Sequence, residues 1–585
     1  MDGLVNFTPF LIFVFKINQK MNRILKGFVV MALALVSTTT FSQTSVKEPL
    51  PNGWYLQDLK DNGVNGISLD KAYQFVKGKK SKTVIVAVLD GGIDTAQEDL
   101  KEVLWRNTKE IAGNGKDDDK NGYVDDINGW NFLGGKDGKA VTKTSLERDR
   151  VYYAYRSKYE GKQIDKQTLS KEELYQYEMW SKAKEELFKG ESLSSLELVF
   201  MRKAYTNLLK ADSILQEAMH KPVYTGKELE KFAAPTEKIK MSQMAMLDLM
   251  QANNLMDISN KEFMDGFKEY LDLEQDKADA KEKAPPSYRE DIVKDNYSDF
   301  NDRYYGNGIL YVPNNLSSLH GTHVAGIIAA QRNNKKGMDG VADNVKIMSV
   351  RVVPDGDEYD KDVALGIRYA VDNGAQVINM SFGKYFSPDK KWVDDAVKYA
   401  ESKGVLLISA AGNENFNADS MIHFPNNNLL DGTTARNWIT VGASSDMTIP
   451  QVHEGVPYNS IVAYFSNYGK SVDVFAPGMK IYSTVPENHY ENEQGTSMAS
   501  PVVAGIAALI LEYYPNLSAE QVKYCIEKSA VVPPSSLKVI EPGSNKETTI
   551  TELSKTGGIV NAYEAIKLAS TLKGERATTN QMKPF

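Results

Sequence analysis

A serine near the end of the chain is the first residue whose surroundings predict chemistry. Ser497 stands in the string Gly-Thr-Ser-Met-Ala-Ser-Pro, directly before an apolar run with helical spacing. A helix is therefore expected to begin at this serine, where unpaired N–H groups and the helix dipole stabilise a developing negative charge. A hydroxyl in that place can serve as a nucleophile, although a bare Gly-Thr-Ser triplet more often marks a helix cap.

Three further polar residues could complete a hydrolytic set. Asp90 ends a β-branched run, and the carboxyl end of a buried parallel strand is where α/β proteins build sites. His320 opens the string His-Gly-Thr-His-Val-Ala-Gly, in a place where a lone histidine usually caps or packs. Asn413 ends another apolar run, where it could be a turn residue or a donor to an oxyanion. Each residue alone therefore has a structural explanation beside the catalytic one.

The strings around Asp90, His320 and Ser497 resemble, in the same order, the three motifs of the subtilisin-like serine proteases. The resemblance implies that these residues form a catalytic triad and that Asn413 donates to the oxyanion. One departure is Gly91, which stands where the family commonly has serine or threonine. One hydrogen bond that could orient the aspartate is therefore expected to be missing.

The resemblance also implies where a peptide substrate would bind. An extended peptide would add itself as a strand to an edge made by Ser381, Phe382 and Gly383, opposite Ala411 and Gly412.

Two other histidines receive their places from the resemblance alone. His323 is expected to pack structurally, and His423 is expected at the bottom of the pocket for the side chain that precedes the scissile bond.

The predicted fold class is α/β: a doubly wound, mostly parallel, seven-stranded subtilisin-like sheet with an inserted all-α subdomain. We predict strands at 83–89, 345–352, 377–383, 404–413, 438–443 and 472–478. The expected units are 43–140 and 305–572 for the catalytic domain, 141–304 for the helical insertion and 573–585 for a flexible tail. The insertion should contain about four helices that break at Pro222, Pro235 and Pro285-Pro286. The lone Cys525 is expected to be a buried helical thiol.

An acidic loop has the alternating oxygen side chains of a calcium site. Its candidate ligands are Asp117, Asp119, Asn121, Tyr123 and Asp125. A solvated Asp/Asn-rich turn is the alternative, because no glutamate closes the loop. The family resemblance adds a second candidate at Asp99 with Asn333 or Asn334. No organic cofactor is expected.

Composition and the N-terminal segment indicate which partners and which cellular compartment to expect. The net charge of −8 argues against a nucleic-acid partner, which needs a basic face. Residues 1–42 have the layout of a signal peptide. We expect translation to start at Met21 and cleavage to follow Ser42. An uncleaved anchor is the alternative. We expect an exported monomer that is periplasmic, on the cell surface or secreted, with no membrane span in the mature chain.

Together these features predict a serine endopeptidase that hydrolyses proteins or peptides through an acyl-enzyme. The alternative is a catalytically silent peptide-binding protein on the same scaffold, with the helical insertion as its docking module.

Overall fold

The computed structural model describes residues 50–189, 193–253, 255–256, 258–313, 315–453, 456–537, 539–544 and 546–576. The predicted signal peptide (1–42) lies outside these residues, and so does most of the predicted tail.

Seven of the strands form one sheet in which every neighbouring pair is parallel. The strands are β1 (Val84–Asp90), β2 (Gly129–Asn131), β3 (Val345–Arg351), β4 (Val377–Met380), β5 (Leu406–Ala410), β6 (Trp438–Ser444), β7 (Val452–His453), β8 (Val456–Pro457), β9 (Val474–Pro477), β10 (Ile481–Val485), β11 (His489–Glu493), β12 (Val539–Ile540) and β13 (Glu547–Thr548). The order across the large sheet is β2-β3-β1-β4-β5-β6-β9. The chain changes sides of β1 after β3, so the carboxyl end of β1 lies at a topological switch point.

The sheet matches the prediction of a seven-stranded parallel sheet, but one of its members was not predicted. The short edge strand β2 has only three residues and no alternating pattern. The antiparallel pairs β7-β8, β10-β11 and β12-β13 lie outside the large sheet.

Helices cover both faces of the sheet, as a doubly wound fold requires. They are α1 (Leu59–Asn62), α2 (Leu69–Val76), α3 (Glu147–Tyr159), α4 (Lys171–Phe188), α5 (Ser195–Met219), α6 (Gly226–Lys231), α7 (Glu237–Ala252), α8 (Asn260–Glu282), α9 (Leu316–Ala329), α10 (Asp360–Asp372), α11 (Lys390–Ser402), α12 (Thr496–Tyr513), α13 (Ala519–Lys528), α14 (Ile550–Leu553) and α15 (Ala562–Ala569). Val86 and Val88 of β1 pack with α9 and α12, whereas Ala87 and Leu89 pack with α10 and α11. This alternation follows from the pleat of a strand whose two faces are both buried.

Helix α12 is the central helix of the core. It is the one helix in the described part of the chain that is long and apolar enough to cross a bilayer. However, 89% of its 18-residue length is buried inside the protein. Its apolar residues contact strands of the sheet instead, which identifies it as a core helix. Cys525 is fully buried in α13, as predicted, and burial raises the pKa of its thiol to about 12.

The described residues between β2 and α9 form six α-helices, α3 to α8, rather than about four. The predicted breaks at Pro222, Pro235 and Pro285-Pro286 fall between or after these helices. The extra boundaries need no proline, because Ser170 and Ser194 each begin a new helix with a complete capping box. Two separate apolar clusters result: α3 and α4 surround one, and α5 to α8 surround the other.

Candidate functional site

Asp90 and His320 meet at the carboxyl end of β1. His320 Nδ1 lies 2.9 Å from one carboxylate oxygen of Asp90 and 3.1 Å from the other. The carboxylate is almost fully buried, and its Oδ1 also accepts the N–H of Gly91 at 2.7 Å. An ionised carboxylate can only accept, so His320 must carry its proton on Nδ1, which leaves Nε2 free to accept a proton.

Two opposing effects act on His320. Burial disfavours the imidazolium, but the negative charge of Asp90 and its hydrogen bond outweigh burial and raise the pKa of His320 above its ordinary value. The imidazole is therefore a better proton acceptor than an isolated histidine.

The helix that carries His320 begins at Leu316, four residues before the histidine. Asn315 caps α9 by accepting the N–H of Ser318 at 3.0 Å. Asp355 accepts the N–H of Ser317 at 3.1 Å, so a carboxylate fixes the same turn as the Asn315 amide. His320 consequently lies in the second turn of α9, and the capping residues upstream decide where its ring points.

Gly91 is explained by the close approach of α9. A Cβ at residue 91 would lie 2.1 Å from Cβ and 2.4 Å from the carbonyl carbon of Ser317, so no side chain fits. The carbonyl of Gly91 instead accepts the hydroxyl of Ser318 at 3.0 Å and the Nε–H of buried Arg351 at 2.9 Å. Sequence reasoning missed both partners, because they come from distant elements whose residues carry no motif.

Ser497 is the second residue of α12 and is tied to Ser381 in both directions. The Ser497 hydroxyl donates to the Ser381 carbonyl at 3.0 Å, and the Ser381 hydroxyl donates to the Ser497 carbonyl at 2.8 Å. That carbonyl is free because Pro501, four residues later, has no N–H to donate. Pro501 lies within the helix, beyond its first turn, and it frees an acceptor that joins α12 to the segment after β4.

Asn413 is held next to Ser497 by Thr496. Its Oδ1 accepts both the backbone N–H and the hydroxyl of Thr496, at 2.8 and 3.0 Å. A backbone N–H can pair only with the amide oxygen, so the Nδ2 donors of Asn413 are directed away from Thr496. Thr496 also accepts the N–H of Gly412 at 3.1 Å, which fixes the loop after β5. This threonine was not singled out from the sequence.

The two predicted substrate segments follow neighbouring strands. Ser381, Phe382 and Gly383 follow β4, and Ala411 and Gly412 follow β5, which pairs with β4.

The imidazole of His423 lies directly against Gly383, so a Cβ at residue 383 would be 1.9 Å from its Cε1. The ring of Tyr385 packs edge-on against the same imidazole, with centroids 5.5 Å apart. Burial lowers the pKa of His423, so its ring is neutral near pH 7. His423 thus borders the first predicted substrate segment.

His323 does not join this group. It is fully buried, its Nε2 lies 3.2 Å from the carbonyl of Glu491, and burial lowers its pKa to about 3.

The acidic loop gathers a different set of carboxylates from the one expected. Oxygens of Glu110, Asp117 and Asp119 lie within 4.8 Å of one another. Asp125 turns away, because its carboxylate accepts the backbone N–H groups of residues 113–115. Asn121 stays near the cluster through its N–H bonds to Asp117 and Asp119.

Two further residues of the acidic loop differ from the expectation. The ring of Tyr123 packs in the aromatic core with Trp130, so its side chain is not a ligand. Glu110 was not predicted as a ligand, because it lies seven residues before the acidic string that begins at Asp117.

The second calcium candidate is already supplied with donors. Asp99 accepts the side-chain amide of Asn334 at 2.5 Å and the hydroxyl of Tyr490 at 2.9 Å. Asn333 instead donates its backbone N–H to Asp339. Of the two asparagines, Asn334 is therefore the one whose side chain contacts Asp99.

The sequence of this chain is similar to those of known proteases. The sequence model described as the Subtilase family matches residues 81–563. Thermophilic serine proteinase of Bacillus sp. (strain AK1) is 40% identical over 221 residues, which is 38% of this chain but only 48% of that protein. Thermitase of Thermoactinomyces vulgaris is 34% identical over 254 residues, covering 42% of this chain and 75% of thermitase. Cell wall-associated protease of Bacillus subtilis (strain 168) is 38% identical over 212 residues, or 36% and 21% of the two chains.

The contact between Gly91 and Ser317 gives a testable prediction. Gly91→Ser restores the common family residue, but it should lower the free energy of unfolding by about 1–3 kcal/mol, because α9 must move away from β1. Denaturant unfolding measures the change. Gly266→Ser is the matched control, since residue 266 is exposed on helix α8 with no atom within 4 Å of an added Cβ. The control should be as stable as the unmodified protein or slightly more stable. Equal stability of both variants would contradict the steric explanation.

Proposed function

This chain belongs to the subtilase family of peptidases, and from that premise we propose that it is a serine endopeptidase acting on proteins or peptides. The observation that carries the proposal is the pairing of buried Asp90 with His320, together with the pairing of Asn413 with Thr496, the residue directly before Ser497. Helices α9 and α12, which hold His320 and Ser497, pack directly against each other.

The proposed first step is attack by Ser497 on a peptide carbonyl. The Ser497 hydroxyl turns from the Ser381 carbonyl towards His320, whose Nε2 accepts the proton as the new C–O bond forms. Asp90 holds the opposite N–H and balances the positive charge of the imidazolium. His320 then donates the proton to the leaving amine as the C–N bond breaks, and water hydrolyses the acyl-enzyme by the same route. A hydrogen bond between a catalytic serine and its histidine often forms only when substrate is bound.

The negative charge on the tetrahedral intermediate needs donors at the N-terminus of α12. The Ser497 backbone N–H and the Nδ2 of Asn413 are the proposed donors, because Thr496 fixes the amide with its oxygen turned away. Removal of one such donor typically lowers kcat by about a hundred- to a thousandfold, a magnitude known from subtilisin itself.

A fluorophosphonate probe tests the proposal, because it reacts only with an activated serine. The protein should be labelled once, and Ser497→Ala should lose at least about 99% of the label, since the reacting oxygen is gone. Mass spectrometry of the labelled peptide checks the position. Ser402→Ala is the matched control, because Ser402 is exposed at the end of α11 and should leave labelling unchanged. Absence of label on the intact protein would favour the catalytically silent peptide-binding protein instead.

We propose in addition that the carboxylates of Glu110, Asp117 and Asp119 hold a calcium ion. Three carboxylates within 4.8 Å repel one another, and the N–H groups that they accept offset only part of that charge. Hard oxygen ligands in this number suit Ca²⁺. The ion would supply a structural link between the loop and the residues before it.

Thermal unfolding in calcium and in a chelator measures the proposed binding. At a calcium concentration about 100 times Kd, the folded state should gain about 2.7 kcal/mol, and the midpoint should rise accordingly. Asp117→Asn should remove most of this gain. Asp137→Asn is the control, because Asp137 is an exposed loop carboxylate paired with Lys139 and should keep the full gain. An equal midpoint with and without calcium would refute the site.

We further propose that the protein acts outside the cytoplasm, after removal of residues 1–42. The charge and hydropathy layout of that segment supports export, and one relative is named a cell wall-associated protease. N-terminal sequencing of the exported protein should begin at Gln43, whereas a start at Met1 or Met21 would show that the segment is retained.

A further inference from the structure

The helical insertion is joined to the proposed substrate-binding edge through Lys384, the residue directly after Gly383. The Lys384 ammonium is buried and makes three contacts, which match its three N–H donors. It lies 3.0 Å from Glu147 Oε2, 2.8 Å from Asp360 Oδ1 and 2.8 Å from the carbonyl of Glu358. Glu147 is the first residue of α3, the helix that begins the insertion.

The next three residues also contact the insertion. Lys182 of α4 donates to the carbonyl of Tyr385 at 3.1 Å, and its ammonium lies 4.6 Å from the centre of the Phe386 ring. Phe386 is buried in the apolar cluster that α3 and α4 surround. The hydroxyl of Tyr175 donates to the carbonyl of Ser387 at 3.0 Å. Every residue from 384 to 387 is thus held by α3 or α4.

The same segment is fixed to the other side of the proposed substrate pocket. Lys384 and Phe424 exchange both backbone hydrogen bonds, each 2.8 Å long. Phe424 follows His423, whose ring lies against Gly383. A shift of Lys384 would therefore move the end of the edge and the wall of the pocket together.

The charges at this junction depend on one another. Burial alone would favour the neutral form of Glu147, but the positive charges of Arg150 and Lys384 hold its pKa below the ordinary value. Arg150 also donates to the carbonyls of Asp357 and Glu358, both at 3.0 Å. A change at Glu147 therefore disturbs both Lys384 and the loop before α10.

We propose that the insertion positions the substrate-binding edge of this protein through Glu147, whose carboxylate orients Lys384 and hence residues 381–383. Glu147 is a positioning residue, because it acts through Lys384 and touches no substrate. The inference rests on the proposed function, since it assumes that an extended peptide pairs with residues 381–383.

Substrate length is the readout that separates positioning from general stability. An extended peptide gains its binding energy from backbone hydrogen bonds along the whole edge, whereas a single-residue substrate contacts only the part beside Ser497 and the pocket. Loss of a contact that acts equally on bound substrate and transition state raises KM and leaves kcat unchanged. A misplaced edge should consequently weaken long peptides selectively.

Kinetics of Glu147→Gln test the inference, with active sites counted by the fluorophosphonate probe. The substrates are a six-residue fluorogenic peptide that the unmodified protein cleaves and an acetylated single-residue p-nitroanilide. We expect KM for the six-residue peptide to rise about tenfold with kcat changed less than about twofold, and KM for the single-residue substrate to rise by no more than about threefold, because it contacts only the pocket wall. Lys182→Met is a second, milder variant at a half-exposed side chain, with an expected rise of about threefold.

Asp295→Asn is the matched control. Asp295 also joins the insertion to the catalytic domain, through a buried ion pair with Lys361, and it pairs with Arg289 within the insertion. Neither partner contacts residues 381–384. Its KM should stay unchanged. Equal KM values in Glu147→Gln and the unmodified protein, or an equal rise in Asp295→Asn, would overturn the inference. If Glu147→Gln does not fold, an unchanged KM in Lys182→Met overturns it. Failure of the unmodified protein to take up the probe would instead count against the proposed function.

Discussion

The contact on which the rest of this structure depends is the one between a buried carboxylate and an imidazole 230 residues away. Asp90 is almost fully buried, and an ionised carboxylate in that place is tolerated only with hydrogen-bond donors around it. Gly91 N–H supplies one donor and His320 the other. The bare glycine lets α9 approach closely enough for His320 to reach, and Arg351 and Ser318 hold the turn. The sequence near Asp90 contains no pattern that predicts the contact between this carboxylate and α9.

Helices α3 to α8 lie between these two partners in the chain, so both ends of this helical segment must be held. The first end is held by Glu147 on Lys384, and the second by Arg289 on Asp362 and Asp295 on Lys361. All of these pairs are buried. Desolvation makes such pairs weak sources of net stability, but breaking one leaves an uncompensated charge. Their consequence is a fixed orientation, because the helical segment cannot shift without moving Lys384 and the start of α10.

Sequence patterns predicted what depends on local chemistry and failed where distant partners decide. The β-branched run that forms β1 and the capping box at Ser170 are local signals, and both are present in the structure. Glu110 was missed because its role depends on how a loop folds back. The reciprocal bonds between Ser381 and Ser497 require Pro501 inside a helix and a strand end beside it.

The most direct test of this account is an NMR titration of the His320 ring, with its signals assigned by their loss in His320→Gln. The account predicts a pKa above about 6.5 in the unmodified protein, because the charge of Asp90 outweighs burial. In Asp90→Asn the raising charge is gone while burial remains, so the pKa should fall below about 6.5. An unchanged pKa in Asp90→Asn would show that the two side chains do not interact, and would contradict the account.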